Sequence, residues 1–347
     1  MMPGRASQGY RHAAVWLWAA VAMIRPPHAG ASNGSNTVLQ LSWKHGFQFA
    51  GYYAAVEKGF YRDAGFQVRL REIGRLDPIA AVQNSEADFG VASAELLLHR
   101  AAGAPVVSLA PVFQRLPTIL LVRPELGVET PRDLKGRPVL VRRPGNRAPI
   151  LRILHQAGLP VADCAMVTDG GWEDWCEGRV AACDAFIGAE LFVLNRRGIP
   201  AGVFRASDDT LPWYGDILFT RQDWVNKHPN RVADFREASL RGWQYALENP
   251  GELADIIVMR YAPGTPREQW LTEAEALRPL IGLRSAAIGR QNEDRWRRIA
   301  GEMVAMGLLD EDVADRMDYS NFVFDPTLAQ ASSLFCVGSS SGGHGSD

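Results

Sequence analysis

The stretch Leu39 to Tyr61 constrains the fold more than any other part of this sequence. Leu39-Gln40-Leu41 reads as a strand, Ser42-Trp43-Lys44-His45-Gly46-Phe47-Gln48 as a polar-aromatic turn, and Phe49 to Tyr61 as an amphipathic helix. Arg62-Asp63-Ala64-Gly65 then turns the chain into a second strand, Phe66 to Glu72. Together these form one βαβ unit. In open α/β sheets, small ligands sit at the turns beyond the carboxyl ends of the strands. The Trp43–Gln48 turn is therefore half of a candidate ligand site.

The same grammar continues along the chain. Pro78 to Glu86 predicts a short helix, Ala87 to Val91 a strand, and Ser93-Ala94-Glu95 the start of a helix that stops at Gly103. Val106 to Phe113 and Thr118 to Val122 are strongly β-like. After a linker-like piece, Pro124 to Lys135, the alternation restarts: strands at Val139 to Arg142, Ala165 to Val167, Val180 to Phe186 and Val203, with helices at Arg147 to Ala157 and Glu190 to Gly198 between them. A restart in mid-chain argues for a second, smaller α/β lobe. From Pro229 onward the periodicity is helical to Arg316. The expected architecture is an α/β hinged clamp: lobe 1 over 37–122 and 217–326, lobe 2 over 124–213, crossings near Arg123 and Trp213, and a flexible tail over 327–347.

The first thirty residues differ from the rest. Arg5, Arg11 and His12 precede an apolar run from Ala13 to Ile24, Arg25-Pro26-Pro27 breaks it, and Ala29-Gly30-Ala31 supplies a small-residue cleavage site. That order predicts a secretory signal peptide over 1–31 and a soluble, exported mature protein; an uncleaved anchor is the other reading. A net charge of −2 excludes an electrostatic footprint for nucleic acid or anionic membrane. Of four cysteines, Cys164, Cys176 and Cys183 cluster, so either free buried thiols or a disulfide fits, and no zinc spacing is present.

No phosphate loop, dinucleotide fingerprint, nucleophile elbow or paired metal-ligand histidines occur, so no cofactor and no metal are expected. The turns instead carry aromatic platforms beside polar groups: Trp43, His45, Gln48 and Tyr52 at the first, Trp172 and Trp175 in the second lobe, Trp213 and Tyr214 at the second crossing. A flat heteroaromatic ligand would stack on such rings and need a few fixed donors and acceptors at its edge. Ser93, Glu95, Gln114, Glu190 and Asp216 stand at element ends where they could supply them. Glu190 opens a helix just past a buried strand, so it either accepts hydrogen bonds from an exocyclic amine or serves the helix dipole. Asp184, at the strand end, either joins it or only caps the following turn. Phe49 and Tyr53 share a helix face with Val56 and are assigned to the core.

Trp43 to Ala55 with Lys58-Gly59-Phe60-Tyr61 and Gly65-Phe66-Gln67-Val68 resembles the type II periplasmic solute-binding proteins of the thiamine-pyrimidine group, the class that includes thiamine-pyrimidine synthase-like proteins. Ala87-Asp88-Phe89-Gly90, Asp133-Leu134-Lys135-Gly136, Tyr214 to Thr220 and His228-Pro229 support the likeness, which runs over about 37–326. The resemblance implies a clamshell with mixed sheets flanked by helices and a helical C-terminal part. It also implies a periplasmic location and, as ligand, a pyrimidine-like thiamine precursor delivered to an ABC permease. Close-looking relatives serve as extracytoplasmic sensor regions, which leaves a signalling partner as the alternative; a monomer is expected. The family's synthases carry a Lys and, four residues on, a His where this chain has Ala92 and Leu96, and they carry a cysteine-rich segment absent here. Without that Lys there is no Schiff base, so the resemblance implies binding rather than catalysis.

Overall fold

The computed structural model describes residues 35–208, 212–282 and 288–327. The leader expected over 1–31, Cys336 and the tail from 328 onward lie outside the described residues. Among the described residues, ten strands form two five-stranded sheets. They are β1 (Ser35–Gln40), β2 (Phe66–Arg71), β3 (Phe89–Ala92), β4 (Val106–Phe113), β5 (Thr118–Val122), β6 (Pro138–Leu140), β7 (Ala165–Val167), β8 (Ala182–Phe186), β9 (Gly202–Phe204) and β10 (Gly215–Arg221).

The first sheet has the order β2-β1-β3-β10-β4 and the second β7-β6-β8-β5-β9. In the first, β1 runs parallel to β2 and β3, while β10 runs antiparallel to β3 and β4. The second repeats the plan, with β6 parallel to β7 and β8, and β5 antiparallel to β8 and β9. Each half therefore takes its antiparallel strand from beside a crossing. This corrects one expected boundary: Thr118–Val122 belongs to the second sheet, so the first crossing is 114–117 rather than near Arg123. The apolar run of β5 carries no mark of which sheet it joins; pairing with Phe186 to Ala182 of β8 decides it.

Both faces of each sheet are covered. On one face of the first sheet, the helix Pro229–Glu248 buries Val232, Phe235, Ser239, Gly242, Trp243 and Ala246, a three-to-four-residue spacing. It lies against the helix Ala50–Glu57 so tightly that a Cβ at Gly242 would stand 2.1 Å from the Gly51 carbonyl oxygen. The other face packs Leu96, Phe219, Trp296, Ile299 and Phe322. The second sheet is sandwiched between a cluster around Leu120, Ile150 and Leu154 and one around Ile119, Trp175 and Leu194. Phe49 and Tyr53 are fully buried, as their helix face predicts. The helix Pro250–Ile256 runs on into a π-helical turn, Ile257–Tyr261, where Tyr261 stacks on Tyr53 at 4.2 Å. No helix among the described residues is long and apolar enough to cross a membrane.

Candidate ligand-binding cleft

The loops that leave β1, β3, β6 and β8 at their carboxyl ends face one another and enclose a cleft. It has two abutting chambers of about 270 Å³ each. Trp43, Gln48 and Arg143 line both. The inner chamber is completed by Asp77, Ile79, Ala92, Ser93, Glu95, His99, Asn146, Phe186 and Asp216. The outer one is completed by Lys44, His45, Arg142, Trp172, Glu190, Arg197, Gln269, Trp270 and Glu273.

Arg143 stands at the centre. Its guanidinium carbon lies 4.5 Å from the Trp43 ring centroid and 4.8 Å from that of Phe186, so a cation bridges an aromatic ring from each half. Nη2 donates to Glu190 Oε1 at 3.2 Å, whereas Nε and Nη1 are buried without a hydrogen-bond partner. Arg142 Nη2 reaches the same Glu190 oxygen at 2.9 Å, and the Phe186 amide donates to Oε2 at 2.9 Å. Burial raises the Glu190 pKa, but Arg143 and Arg142 outweigh it and hold the carboxyl below its ordinary value. Asp184, fully buried, accepts from the Arg142 amide at 2.7 Å and from Asn146 Nδ2 at 2.6 Å, fixing the loop after β6.

Three other carboxyl groups behave in the opposite way. Burial pushes Asp216 up to about 7 against the pull of Arg143. It pushes Glu95 up to about 7 against Arg147, and Glu273 up to about 7 against the bonds from Gln269 and the Phe47 amide. Near neutrality such groups can donate or accept a hydrogen bond. Asp216 also holds φ at +37°, an unusual value for a residue with a side chain, at the mouth of the second crossing. Glu95 Oε2 is buried with no partner.

The residues singled out in the sequence as ligand contacts divide into two groups. Trp43, His45, Gln48, Ser93, Glu95, Trp172, Glu190 and Asp216 line the cleft. Within that group Glu190 has both oxygens engaged by the protein. His45 is held by Tyr53 Oη at 3.0 Å, and burial lowers its pKa in spite of Glu72. Tyr52, Gln114 and Tyr214 do not line it. Tyr52 is wholly buried edge-on to Trp243. Gln114 braces the first crossing, donating to the Pro111 and Arg290 carbonyls and accepting from Arg295. Tyr214 is buried between Trp296 and the Arg295 guanidinium. Cys164, Cys176 and Cys183 are free thiols. Among the described residues no cluster of His, Cys, Asp and Glu could hold a metal ion.

Sequence reading missed Arg142, Arg143, Asn146, Phe186 and Glu273 as site residues. Two adjacent arginines closing the apolar run Pro138–Val141 were the available signal. Glu273 carried none, because it enters the cleft from a helix far along the chain.

The fold and cleft define a two-sheet solute-binding architecture. Residues 46–253 match the model of the NMT1/THI5-like family, and the chain belongs to that family. It is similar to the riboflavin-binding protein RibY of Chloroflexus aurantiacus, 24% identical over 85% of this chain and 89% of the relative. It is also similar to the formylaminopyrimidine-binding protein of Halalkalibacterium halodurans, 23% identical over 82% of this chain and 89% of the relative. Among solved structures, the alkanesulfonate-binding protein SsuA of Xanthomonas axonopodis pv. citri shares the fold, with a TM-score of 0.67 at 15% identity, covering 85% of this chain and 99% of that one. These named relatives are binding proteins. At the position where the family's synthases hold a Lys, Ala92 lines the inner chamber without an amine, and Leu96 is buried in the core.

Proposed function

We propose that this chain is an exported solute-binding protein that closes its two halves on a small heteroaromatic ligand of the aminopyrimidine class and presents it to an ABC permease. The observation that carries the reading is the cleft itself. Trp43 from the first half and Phe186 from the second line a space edged by Gln48, Glu95 and Asp216 and bounded by Arg143, which lies against both rings, so the wall supplies aromatic surface together with fixed donors and acceptors. A formylaminopyrimidine-binding protein among the relatives supports the ligand class, and the Arg-led apolar run before Ala29-Gly30-Ala31 supports export to the periplasm. Ligand that touches both halves shifts the open–closed equilibrium by the contacts it gains only when closed.

Titration calorimetry with 4-aminopyrimidines tests this. The expected result is saturable binding by the wild type and loss of most affinity in Trp43→Ala. Absence of binding, or equal affinity in the variant, would overturn it.

A further inference from the structure

The two halves meet along a seam beside the outer chamber. The loop after β8 reaches Gly188, which holds φ at +97° and opens the helix Ala189–Arg197. A Cβ there would stand 3.0 Å from the Glu273 Cα and 3.2 Å from the Ala276 Cβ. A glycine is what lets this loop of the second half lie directly on the helix Arg267–Ile281 of the first. Glu273 is the residue beneath the seam, 4% exposed. Its side chain lies between Gly188 and the first-half turn, where Oε2 accepts from the Phe47 amide at 3.0 Å and Oε1 from Gln269 Nε2 at 3.1 Å.

Every element at the seam brings a charged or titratable group toward Glu273. The helix Ala189–Arg197 brings Glu190 and Arg197, the loop after β6 Arg142 and Arg143, the first turn Lys44 and His45, and the helix Ala50–Glu57 Tyr53. Arg142 and Arg143 are bonded to Glu190, which they keep ionised. Lys44 and Arg197 are exposed, so salt and water screen them. Burial outweighs Glu72 and lowers the His45 pKa, which leaves that ring mainly uncharged above pH 6.5. For Glu273 itself burial is the main reason its carboxyl titrates at about 7, and Glu190 adds to it against Gln269, the Phe47 amide and Arg143.

We propose that closure of the two halves takes up a proton at Glu273. Swinging the second half away removes Gly188 and Glu190 from this carboxyl and returns it to water, where it ionises. Closing again requires a proton on it, or else a buried carboxylate beside Glu190. The clamp is therefore tightest in acid and loosens as pH rises through 7. With titration at about 7 when closed and at the ordinary 4.5 when open, the closed-to-open ratio falls about tenfold from pH 6 to pH 8. This goes beyond the proposed function and needs no particular ligand.

Glu273→Gln tests it, because glutamine keeps the size of the side chain and an acceptor for the Phe47 amide but carries no titrating proton. Small-angle scattering on the ligand-free wild type should give a larger radius of gyration at pH 8 than at pH 6, and the variant should keep the pH 6 value at both. Gly188→Ala, which wedges the seam, should give the pH 8 dimensions at both. Calorimetry with 4-aminopyrimidine reads the same equilibrium where the free chain is mainly open. There the affinity of the variant relative to wild type should be about tenfold greater at pH 8 than at pH 6, a comparison that cancels titration of the probe, Asp216 and Glu95. A constant affinity ratio, with scattering that responds to pH alike in wild type and Glu273→Gln, would overturn the proton coupling. Failure of the probe to bind would overturn the aminopyrimidine reading and leave scattering to decide this one.

Discussion

Ser93 Oγ donates a 2.6 Å hydrogen bond to the carbonyl oxygen of Gly145, and that bond crosses the cleft from the loop after β3 to the loop after β6. It is a direct tie between the two halves beside the inner chamber. A net hydrogen bond contributes about 0.5–1.5 kcal/mol. Ser93→Ala should therefore weaken ligand affinity by roughly three- to tenfold if the closed state is the one that binds. Calorimetry on the variant, with circular dichroism to confirm an intact fold, checks this.

Arg143 should be the most sensitive position in the cleft. Arg143→Ala removes a guanidinium held between Trp43 and Phe186 and leaves Arg142 as the one arginine on Glu190 among the described residues. Loss of charge-assisted hydrogen bonds worth about 1.5–3 kcal/mol predicts affinity reduced roughly ten- to hundredfold. Arg143→Lys should recover only part, because an ammonium can neither stack as a plane nor reach two acceptors at once. The pair of dissociation constants is the readout.

On the far side of the halves, Arg152 Nε donates to Glu302 Oε2 at 2.7 Å, and Trp213 Nε1 donates to the same oxygen at 2.6 Å. Arg152 is 1% exposed, so removing the Glu302 charge leaves a buried guanidinium with Asp208 at 3.5 Å as its carboxylate partner. Breaking a fully buried pair costs about 3–5 kcal/mol. Because Glu302 is partly exposed, Glu302→Gln should cost roughly 2 kcal/mol, read as a lower urea midpoint with an unchanged m-value.

Gly242→Ala should cost more stability than Glu302→Gln. The added Cβ would meet the Gly51 carbonyl oxygen at 2.1 Å and the Ala55 Cβ at 2.8 Å, backbone and near-backbone atoms that cannot swing away. Overpacking of this kind costs about 3 kcal/mol or more, because the two helices must part. Thermal denaturation should show a fall of several degrees.

The pH dependence of stability has a definite sign. Asp216, Glu95 and Glu273 are raised to about 7 when folded, from ordinary values of 3.8 and 4.5. Between those limits the folded chain binds more protons than the unfolded one, so these groups stabilise most at low pH and lose that contribution as pH rises through 7. Glu190, held low by its arginines, acts in reverse only toward acid. The unfolding temperature should thus be higher at pH 5.5 than at pH 8, and Asp216→Asn should reduce the difference. A flat profile from pH 5.5 to 8 in the wild type would count against the burial of these carboxyls.

Much of the fold is legible in the residues themselves. β4, β5 and β7 occupy the positions that their apolar and β-branched runs predict, and the helix Pro229–Glu248 follows its own buried stripe between a starting proline and Asn249. These are local signals, set by periodicity and by Pro and Gly at the ends. The Trp43–Gln48 turn was legible for the same reason: aromatic and polar residues directly after a strand stand out from both the core and the solvent face.

What the sequence determined by itself, then, was the alternation of strands and helices, two sheets' worth of it, and which turns carried stacking and polar side chains. Tertiary structure alone decided the rest. It sent β5 to the second sheet, withdrew Tyr52, Gln114 and Tyr214 into core and crossings, and committed Glu190 to Arg142 and Arg143. It also made Arg143 the centre of the cleft, between rings 143 residues apart in the chain. The physical reason is that a buried charge is defined by what surrounds it. The desolvation that lifts Asp216 and the arginines that lower Glu190 both come from distant segments, and no window of sequence contains them.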